Sequence, residues 1–168
     1  MKKPIAYLAG PLGFSEVGRL FHKTVLVPLV IEIGFEIRDP WILTPAELIN
    51  SALKLPYGQE KKETWGNINL VIGRNNALAI NESDIIIAVL DGVDVDSGTA
   101  AEIGYGSALG KTVIGYRGDF RLSADNEGST VNLQVEYFIH LHGGEIVTTL
   151  ESLKTALVKR RDGFLQKN

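Results

Sequence analysis

The chain has 168 residues, a formal net charge of -3 and no cysteine, and 45% of its residues are hydrophobic. The negative charge argues against a protein that binds nucleic acid polymers through their phosphates. The lack of cysteine excludes disulfides, thiolate metal sites and cysteine nucleophiles. The length fits a single domain spanning 1–168 with enough chain to bury a hydrophobic core.

No apolar run reaches the roughly 18 residues that a membrane-spanning helix needs. The first apolar run, IAYLAG, is followed at once by Pro11 and is shorter than the apolar segment of a signal peptide. We therefore expect a cytoplasmic protein with no membrane partner, in which this run forms the first strand.

Strand patterns and helix patterns alternate along the whole chain. In order, we expect a strand at 5–9, a helix at 15–34 that is kinked or restarted at Pro28, a strand at 35–38, a short helix and loop at 43–59, a helix at 60–81, a strand at 84–90, a helix at 98–109, a strand at 112–116, a polar loop at 117–130, a helix or extended segment at 131–141, a strand at 145–147 and a helix at 149–161. This alternation predicts an α/β fold, a doubly wound, flavodoxin-like three-layer sandwich around a parallel sheet of about five strands.

Ligands of such sheets bind beyond the carboxyl ends of the strands. The predicted ends are Gly10-Pro11, Asp39-Pro40-Trp41, the acidic loop at 91–96 and the start of the loop at 117–120. Because these loops meet at one edge of a parallel sheet, we expect a ligand site there.

A carboxylate stands out in the small-residue segment DVDSGTAAEIGYGSALGK, at 94–111. Asp96 or Ser97 can cap the helix that follows, and Gly98 lets the backbone turn closely. Glu102 then lies one to two turns from the positive end of the helix, which favours its ionised form. A rigid carboxylate beside a pocket is a candidate nucleophile, although the residues alone favour a solvated or capping acid.

The same helix carries small residues that could approach the sheet. Ala101, Gly104 and Ala108 share one helical face, and we expect that face to press against the strands. Glu102 would point away from it.

Several segments resemble the nucleoside 2-deoxyribosyltransferase family. They are YLAGPLGFSEVGR at 7–19, NNALAINESDIIIAVLDG at 75–92, DSGTAAEIGYGSALGK at 96–111, RGDFR at 117–121 and VNLQ at 131–134. Together they cover most of the chain in the expected order, and the Asp-x-Gly-Thr-x-x-Glu-x-Gly element is the most specific of them.

The resemblance implies an enzyme of nucleotide salvage that moves the 2-deoxyribosyl group of a deoxyribonucleoside to a free purine or pyrimidine base. Glu102 matches the family nucleophile, which would form a covalent deoxyribosyl-enzyme and give net retention. Tyr7 matches a tyrosine that hydrogen-bonds to that glutamate, and Asp96 matches an aspartate that contacts the base and assists its protonation. The residues alone would allow Tyr7 to be a core aromatic and Asp96 a helix cap.

The resemblance also implies contacts with the substrate. Asn132 matches an asparagine that reaches the sugar 5′-hydroxyl from a neighbouring subunit, which implies a homo-oligomer. Gln134 stands where some members have methionine, and Asn76 stands where some members have a base-binding aspartate, so Asn76 cannot act as an acid. Phe14 could instead be a core contact, and Trp41 could stack on a base or cap the core. The expected substrate-binding residues are Gly10, Phe14, Trp41, Asn76, Gly98, Asn132 and Gln134.

Two other functions stay open. A hydrolase of 2′-deoxynucleoside 5′-monophosphates would share the fold and the glutamate, and Ser15 with Arg19 could hold its phosphate. The segment 119–121 could close over a bound base, or Arg117 and Arg121 could instead bind phosphate. A nucleotide-binding module without turnover would not need Glu102.

We expect neither a metal nor a cofactor, because the His140-x-His142 pair lacks an evident third ligand. The expected partners are small-molecule deoxyribonucleosides and free bases.

Overall fold

The computed structural model describes residues 2–166, so Met1, Lys167 and Asn168 of the predicted domain lie outside the described residues. Five parallel strands form the sheet in the order β2-β1-β3-β4-β5. The strands are β1 Ile5–Ala9, β2 Glu36–Arg38, β3 Ile85–Val89, β4 Thr112–Tyr116 and β5 Glu145–Val147. This is the flavodoxin-like order, so the predicted fold class is confirmed, and the winding reverses between β1 and β3.

The central strands are apolar on both faces because helices cover both sides of the sheet. Every residue of β1 and β3 is buried, as the continuous apolar runs predict for parallel strands. Side chains alternate between the two layers: Ala6 and Leu8 face one core cluster, whereas Tyr7 and Ala9 face the other. Tyr7 is thereby directed to the layer that also contains Ile103.

The predicted helices are present, with shifted ends. They are α1 Glu16–Phe21, α2 Val27–Ile33, α3 Ala46–Leu53, α4 Gln59–Glu82, α5 Ser97–Ala108, α6 Leu133–His140 and α7 Leu150–Leu165. A π-helical stretch, His22–Leu26, joins α1 to α2 without a break in helical conformation, and Pro28 lies in the first turn of α2. The core places α2 and α7 on one face of the sheet, and α4, α5 and α6 on the other.

The face by which α5 meets the sheet differs from the predicted one. Its buried residues are Thr99, Ile103, Gly106 and Ser107, whereas Ala101 and Ala108 are exposed. Gly106 sets the close approach, because a Cβ there would lie 1.9 Å from Cδ1 of Ile86. The prediction was wrong because Gly and Ala residues occur on every side of this helix and therefore do not identify its buried face. The large apolar side chain of Ile103 determines which face is buried.

Candidate active site

A cavity of about 600 Å³ opens at the carboxyl edge of the sheet. Its size falls in the range of small-molecule sites. Among its lining residues are seven that were predicted from the sequence: Gly10, Phe14, Trp41, Asn76, Asp96, Gly98 and Glu102. The structure therefore brings together residues from four separate parts of the chain, as the shared edge of the strands predicts.

The start of α5 positions Glu102 in this cavity. Asp96 is the N-cap, and its Oδ2 accepts hydrogen bonds from the Thr99 backbone N at 3.0 Å and from Thr99 Oγ1 at 3.1 Å. Thr99 is buried, so this cap anchors the first turn against the core. Glu102 follows less than one turn after Thr99, next to the buried Ile103.

Two donors converge on one oxygen of Glu102. The Tyr7 hydroxyl donates to Oε1 at 2.6 Å, and Asn76 Nδ2 donates to the same atom at 3.3 Å. The hydrogen bond that the resemblance implied between Tyr7 and Glu102 is present. Within the described residues no side chain or backbone donor is recorded on Oε2, so the carboxylate is held by one oxygen and leaves the other open.

Burial dominates the electrostatics of this pair. It raises the pKa of Glu102, and the nearby charge of Asp96 raises it further, whereas the hydrogen bonds from Tyr7 and Asn76 lower it. The net direction is opposite to the expectation from the helix end, because desolvation of the carboxylate outweighs the favourable interactions. Burial and the Glu102 charge also raise the pKa of Tyr7, which therefore stays a hydrogen-bond donor.

Aromatic side chains form part of the cavity wall. Phe14 meets Trp41 edge-to-face, with ring centroids 4.9 Å apart and an interplanar angle of 89°. Phe14 is 73% exposed, so it is not a core contact. Trp65 on α4 also lines the cavity. It was not predicted from the sequence, because a tryptophan inside a predicted helix gives no sign of which strand end it faces.

Asn132 and Gln134 lie away from this cavity within the described chain. Asn132 is the N-cap of α6, where its Oδ1 accepts hydrogen bonds from the backbone N–H of Gln134 at 3.0 Å and of Val135 at 3.4 Å. Gln134 is exposed. Their expected contact with substrate stays a prediction that requires a neighbouring subunit.

The residues considered for phosphate binding have other partners. Arg117 is 2% exposed and donates to the backbone carbonyls of Leu90, Gly92 and Arg121. The idea that Arg117 binds phosphate is therefore wrong, because its guanidinium is buried and already bonded. Arg121 pairs with Asp119.

Ser15 and Arg19 are also engaged. Ser15 Oγ caps α1 by accepting from the Gly18 N–H at 2.9 Å, and Arg19 donates to the Gly13 carbonyl at 3.0 Å. A phosphate bound there would have to compete with both contacts.

Within residues 2–166, no group of three or more His, Asp or Glu side chains is arranged to hold a metal ion. No helix within the same range is long and apolar enough to cross a membrane.

Solved structures share this fold at low sequence identity. A conserved protein from Enterococcus faecalis V583 has a TM-score of 0.66 and 24% identity over 95% of this chain and 99% of its own. A 2-desoxiribosyltransferase from Leishmania mexicana has a TM-score of 0.61 and 23% identity over 93% and 97%. The CMP N-glycosidase BcmB from Clostridium botulinum has a TM-score of 0.51 and 17% identity over 94% and 98%. At these identities the similarity establishes the fold alone.

No curated protein sequence is similar enough to the chain to count as a match. The family model described as nucleoside 2-deoxyribosyltransferase matches residues 6–134, which include Tyr7, Asn76, Asp96 and Glu102. Since this match extends over most of the chain, the protein belongs to the nucleoside 2-deoxyribosyltransferase family.

Proposed function

We propose that this protein transfers a 2-deoxyribosyl group from a 2′-deoxyribonucleoside to an acceptor purine or pyrimidine base. The observation that carries the proposal is the arrangement of Glu102, whose Oε1 accepts from Tyr7 and Asn76 at the wall of an aromatic cavity. A carboxylate fixed by one oxygen and open at the other is suited to attack a sugar carbon.

The reaction is a double displacement at C1′ of the sugar. Oε2 of Glu102 forms a bond to C1′ while the glycosidic C1′–N bond breaks, and the base leaves with the electron pair of that bond and takes up a proton. A nitrogen of the acceptor base then attacks C1′, loses its proton, and releases the Glu102 carboxylate. Two inversions give net retention, and the negative carboxylate stabilises the oxocarbenium-like transition states.

The environment of Glu102 suits a nucleophile. Burial removes the water that would otherwise solvate the Glu102 carboxylate. It thereby raises the pKa of Glu102 and makes the carboxylate more basic. The Tyr7 and Asn76 hydrogen bonds counter this effect and favour the ionised form. Asp96 uses Oδ2 for the helix cap, so its other oxygen is the one left to bond to the departing base.

The aromatic wall suits a planar base. Phe14, Trp41 and Trp65 present rings to the cavity, and stacking on such rings accepts purines and pyrimidines alike. Binding of the base there would place its glycosidic bond towards Glu102.

The test is base exchange. Purified protein is incubated with 2′-deoxyinosine plus adenine, and with 2′-deoxyuridine plus adenine, and the products are separated by chromatography. Deoxyadenosine should form, and Glu102→Gln should lower its rate at least about a thousandfold, as removal of a nucleophile does. Glu151→Gln, an exposed change on α7, is the control and should have no effect.

A 2′-deoxynucleoside 5′-monophosphate without acceptor is the decisive second substrate. Slow release of base from a nucleoside is expected, because water also attacks the covalent intermediate. If only the monophosphate is cleaved, and added adenine changes neither rate nor product, the protein is a hydrolase and the transferase proposal is wrong.

The contribution of Asn132 from a neighbouring subunit is tested by mixing. Glu102→Gln and Asn132→Ala proteins should each be inactive, and an oligomer that contains both would hold sites with intact Glu102 and intact Asn132. Recovered activity after co-refolding supports the shared site. If the co-refolded mixture of the two inactive variants shows no activity, the shared site is contradicted.

A further inference from the structure

A buried histidine–aspartate pair lies behind the aromatic wall and takes no part in the proposed chemistry. His22 Nε2 and Asp39 Oδ2 are 2.8 Å apart, and the side chains are only 12% and 7% exposed. A buried carboxylate is costly unless it is bonded, so this pair calls for an explanation.

Asp39 connects the pair to the loop that carries Trp41. Its second oxygen, Oδ1, accepts a hydrogen bond from the Trp41 backbone N–H at 3.1 Å, and its carbonyl oxygen accepts from the Ile42 N–H at 3.0 Å. Asp39 therefore shapes the turn directly after β2, and His22 occupies the carboxylate oxygen that the turn does not use.

His22 lies at the junction between α1 and the π-helical stretch His22–Leu26. Its N–H donates to the Gly18 carbonyl as in a regular helix, whereas its carbonyl accepts from the Val27 N–H, which closes the wider turn characteristic of the π conformation. Such π turns occur frequently at functional sites.

The indole of Trp41 is confined by two further neighbours. A Cβ on Gly13 would lie 2.2 Å from Cδ2 of Trp41, so the ring stands directly over the Gly13 backbone. Phe14 packs against it in a T-shaped arrangement. The ring is thus held from the backbone side by Asp39, from one face by Gly13 and by the perpendicular ring of Phe14.

We propose that His22 is a positioning residue for base binding: by bonding to Asp39 it holds the loop that sets the Trp41 ring as a stacking surface for the planar base. This proposal rests on the proposed function, since it assigns the cavity wall at Trp41 to the base. His22 touches neither the sugar nor Glu102, so its loss should weaken the binding of bases and substrates and leave the chemical step nearly unchanged.

The variants are chosen at His22 rather than Asp39. The charge of Asp39 contributes to the raised pKa of Tyr7, so an Asp39 change would mix positioning with an effect on the nucleophile. His22→Leu removes the hydrogen bond, whereas His22→Gln places an amide nitrogen near the position of Nε2 and should restore it. His142→Leu is the control, because His142 also makes one hydrogen bond through Nε2, to the Ser107 carbonyl, and lies on an exposed turn away from the cavity.

The first measurement is independent of turnover. Trp41 and Trp65 are the two tryptophans of the chain, so in a Trp65→Phe background the fluorescence reports on Trp41 alone. His22→Leu should shift its emission to longer wavelength, increase quenching by acrylamide and raise the dissociation constant for adenine about tenfold, the loss expected for one hydrogen bond. His22→Gln should return all three readings towards those of the background protein.

The second measurement separates binding from chemistry in proteins that keep Trp65. His22→Leu should raise KM for the deoxyribonucleoside donor about tenfold with kcat changed less than about twofold. Gly13→Ala displaces the same ring without touching His22 or Asp39 and should change KM likewise, which keeps the test valid if His22→Leu folds poorly.

Unchanged Trp41 emission and adenine affinity in His22→Leu would overturn the proposal. A fall in kcat at constant KM would overturn it as well, because His22 would then act on the chemical step. If the unaltered protein exchanges no bases at all, the proposed function fails, yet the fluorescence and adenine measurements still decide whether His22 positions Trp41.

Discussion

Replacement of Tyr7 by Phe tests how Glu102 is kept ionised, because it removes one hydroxyl and keeps the buried ring. The hydroxyl donates to Oε1 at 2.6 Å, and a hydrogen bond to a charged group contributes about 1.5–3 kcal/mol. The bond from Asn76 remains. The pKa of Glu102, already raised by burial, should therefore rise further in the variant.

The size of the effect depends on pH, since attack on C1′ needs the carboxylate. Activity is lost as the pH falls through the pKa of Glu102, and the variant should lose it at a higher pH. Well below the pKa in both proteins, the ratio of ionised fractions reflects the full hydrogen-bond free energy, so kcat/KM should be about 10- to 150-fold lower. Well above it, Glu102 is ionised in both proteins and the difference should become small.

The assay is kcat/KM for a deoxyribonucleoside donor over the pH range in which all proteins stay folded. Tyr105→Phe is the matched control: it removes a hydroxyl from the exposed side of α5 and should leave the profile unchanged. A loss in Tyr7→Phe that has the same size at every pH would refute the reasoning, because it would mean that Tyr7 acts through geometry and not through the charge of Glu102.

Three further predictions concern the same helix and its neighbours. The folded-state pKa of Glu102 is raised, so the stability that its carboxyl group contributes is fully present below the unfolded pKa and is lost as the pH rises through the folded pKa. Glu102→Gln should therefore have a higher Tm than the unaltered protein at high pH and an equal Tm in acid. A difference in Tm that is the same at every pH in calorimetry would contradict this. Gly106→Ala should lower the free energy of unfolding, measured in urea, by about 1–3 kcal/mol, because its Cβ would meet Ile86. Gly104→Ala is the control, because the nearest neighbour of a Cβ there is 3.6 Å away. An equal loss of unfolding free energy in both variants would contradict the packing argument. Asn76→Asp should move the acid limb of the kcat/KM profile to higher pH, because a donor to Oε1 is replaced by a second negative charge; an unshifted limb would show that this bond does not govern the ionisation of Glu102.

The strands and their order of occurrence were predictable because parallel strands covered on both faces must be apolar throughout. The runs IAYLA and IIIAV show this directly. The orientation of α5 was not predictable, since its many Gly and Ala residues give no hydrophobic period and Gly106 is selected only by the position of Ile86 in space. The π-helical stretch His22–Leu26 likewise has no pattern of its own, because its residues would fit a regular helix.

The site residues that could be predicted are those that belong to a recognisable sequence motif. Glu102, Asp96 and Tyr7 were identified through a resemblance, whereas composition and spacing alone favoured an ordinary surface acid at position 102. Trp65 and the His22–Asp39 pair had no such motif, and they depend on contacts between elements distant in the chain. The electrostatics of Glu102 were mispredicted for a related reason: burial is a property of the assembled structure, and it outweighed the helix end that the sequence made visible.

The strand order has a consequence for how the protein is made. β1 pairs with β3, where Ala6 lies opposite Ile85, and Tyr7 and Glu102 are 95 residues apart in the chain. At about 5–20 residues per second, a ribosome needs about 5–20 s to add the segment that separates them. For most of that time β3 has not yet been synthesised, so the apolar β1 lacks its central partner, and long-range parallel pairing is slow in itself. The nascent chain therefore passes through an interval in which its most hydrophobic N-terminal segment is open to chaperones and to aggregation, and both the sheet and the glutamate–tyrosine pair close only after α5 has been synthesised.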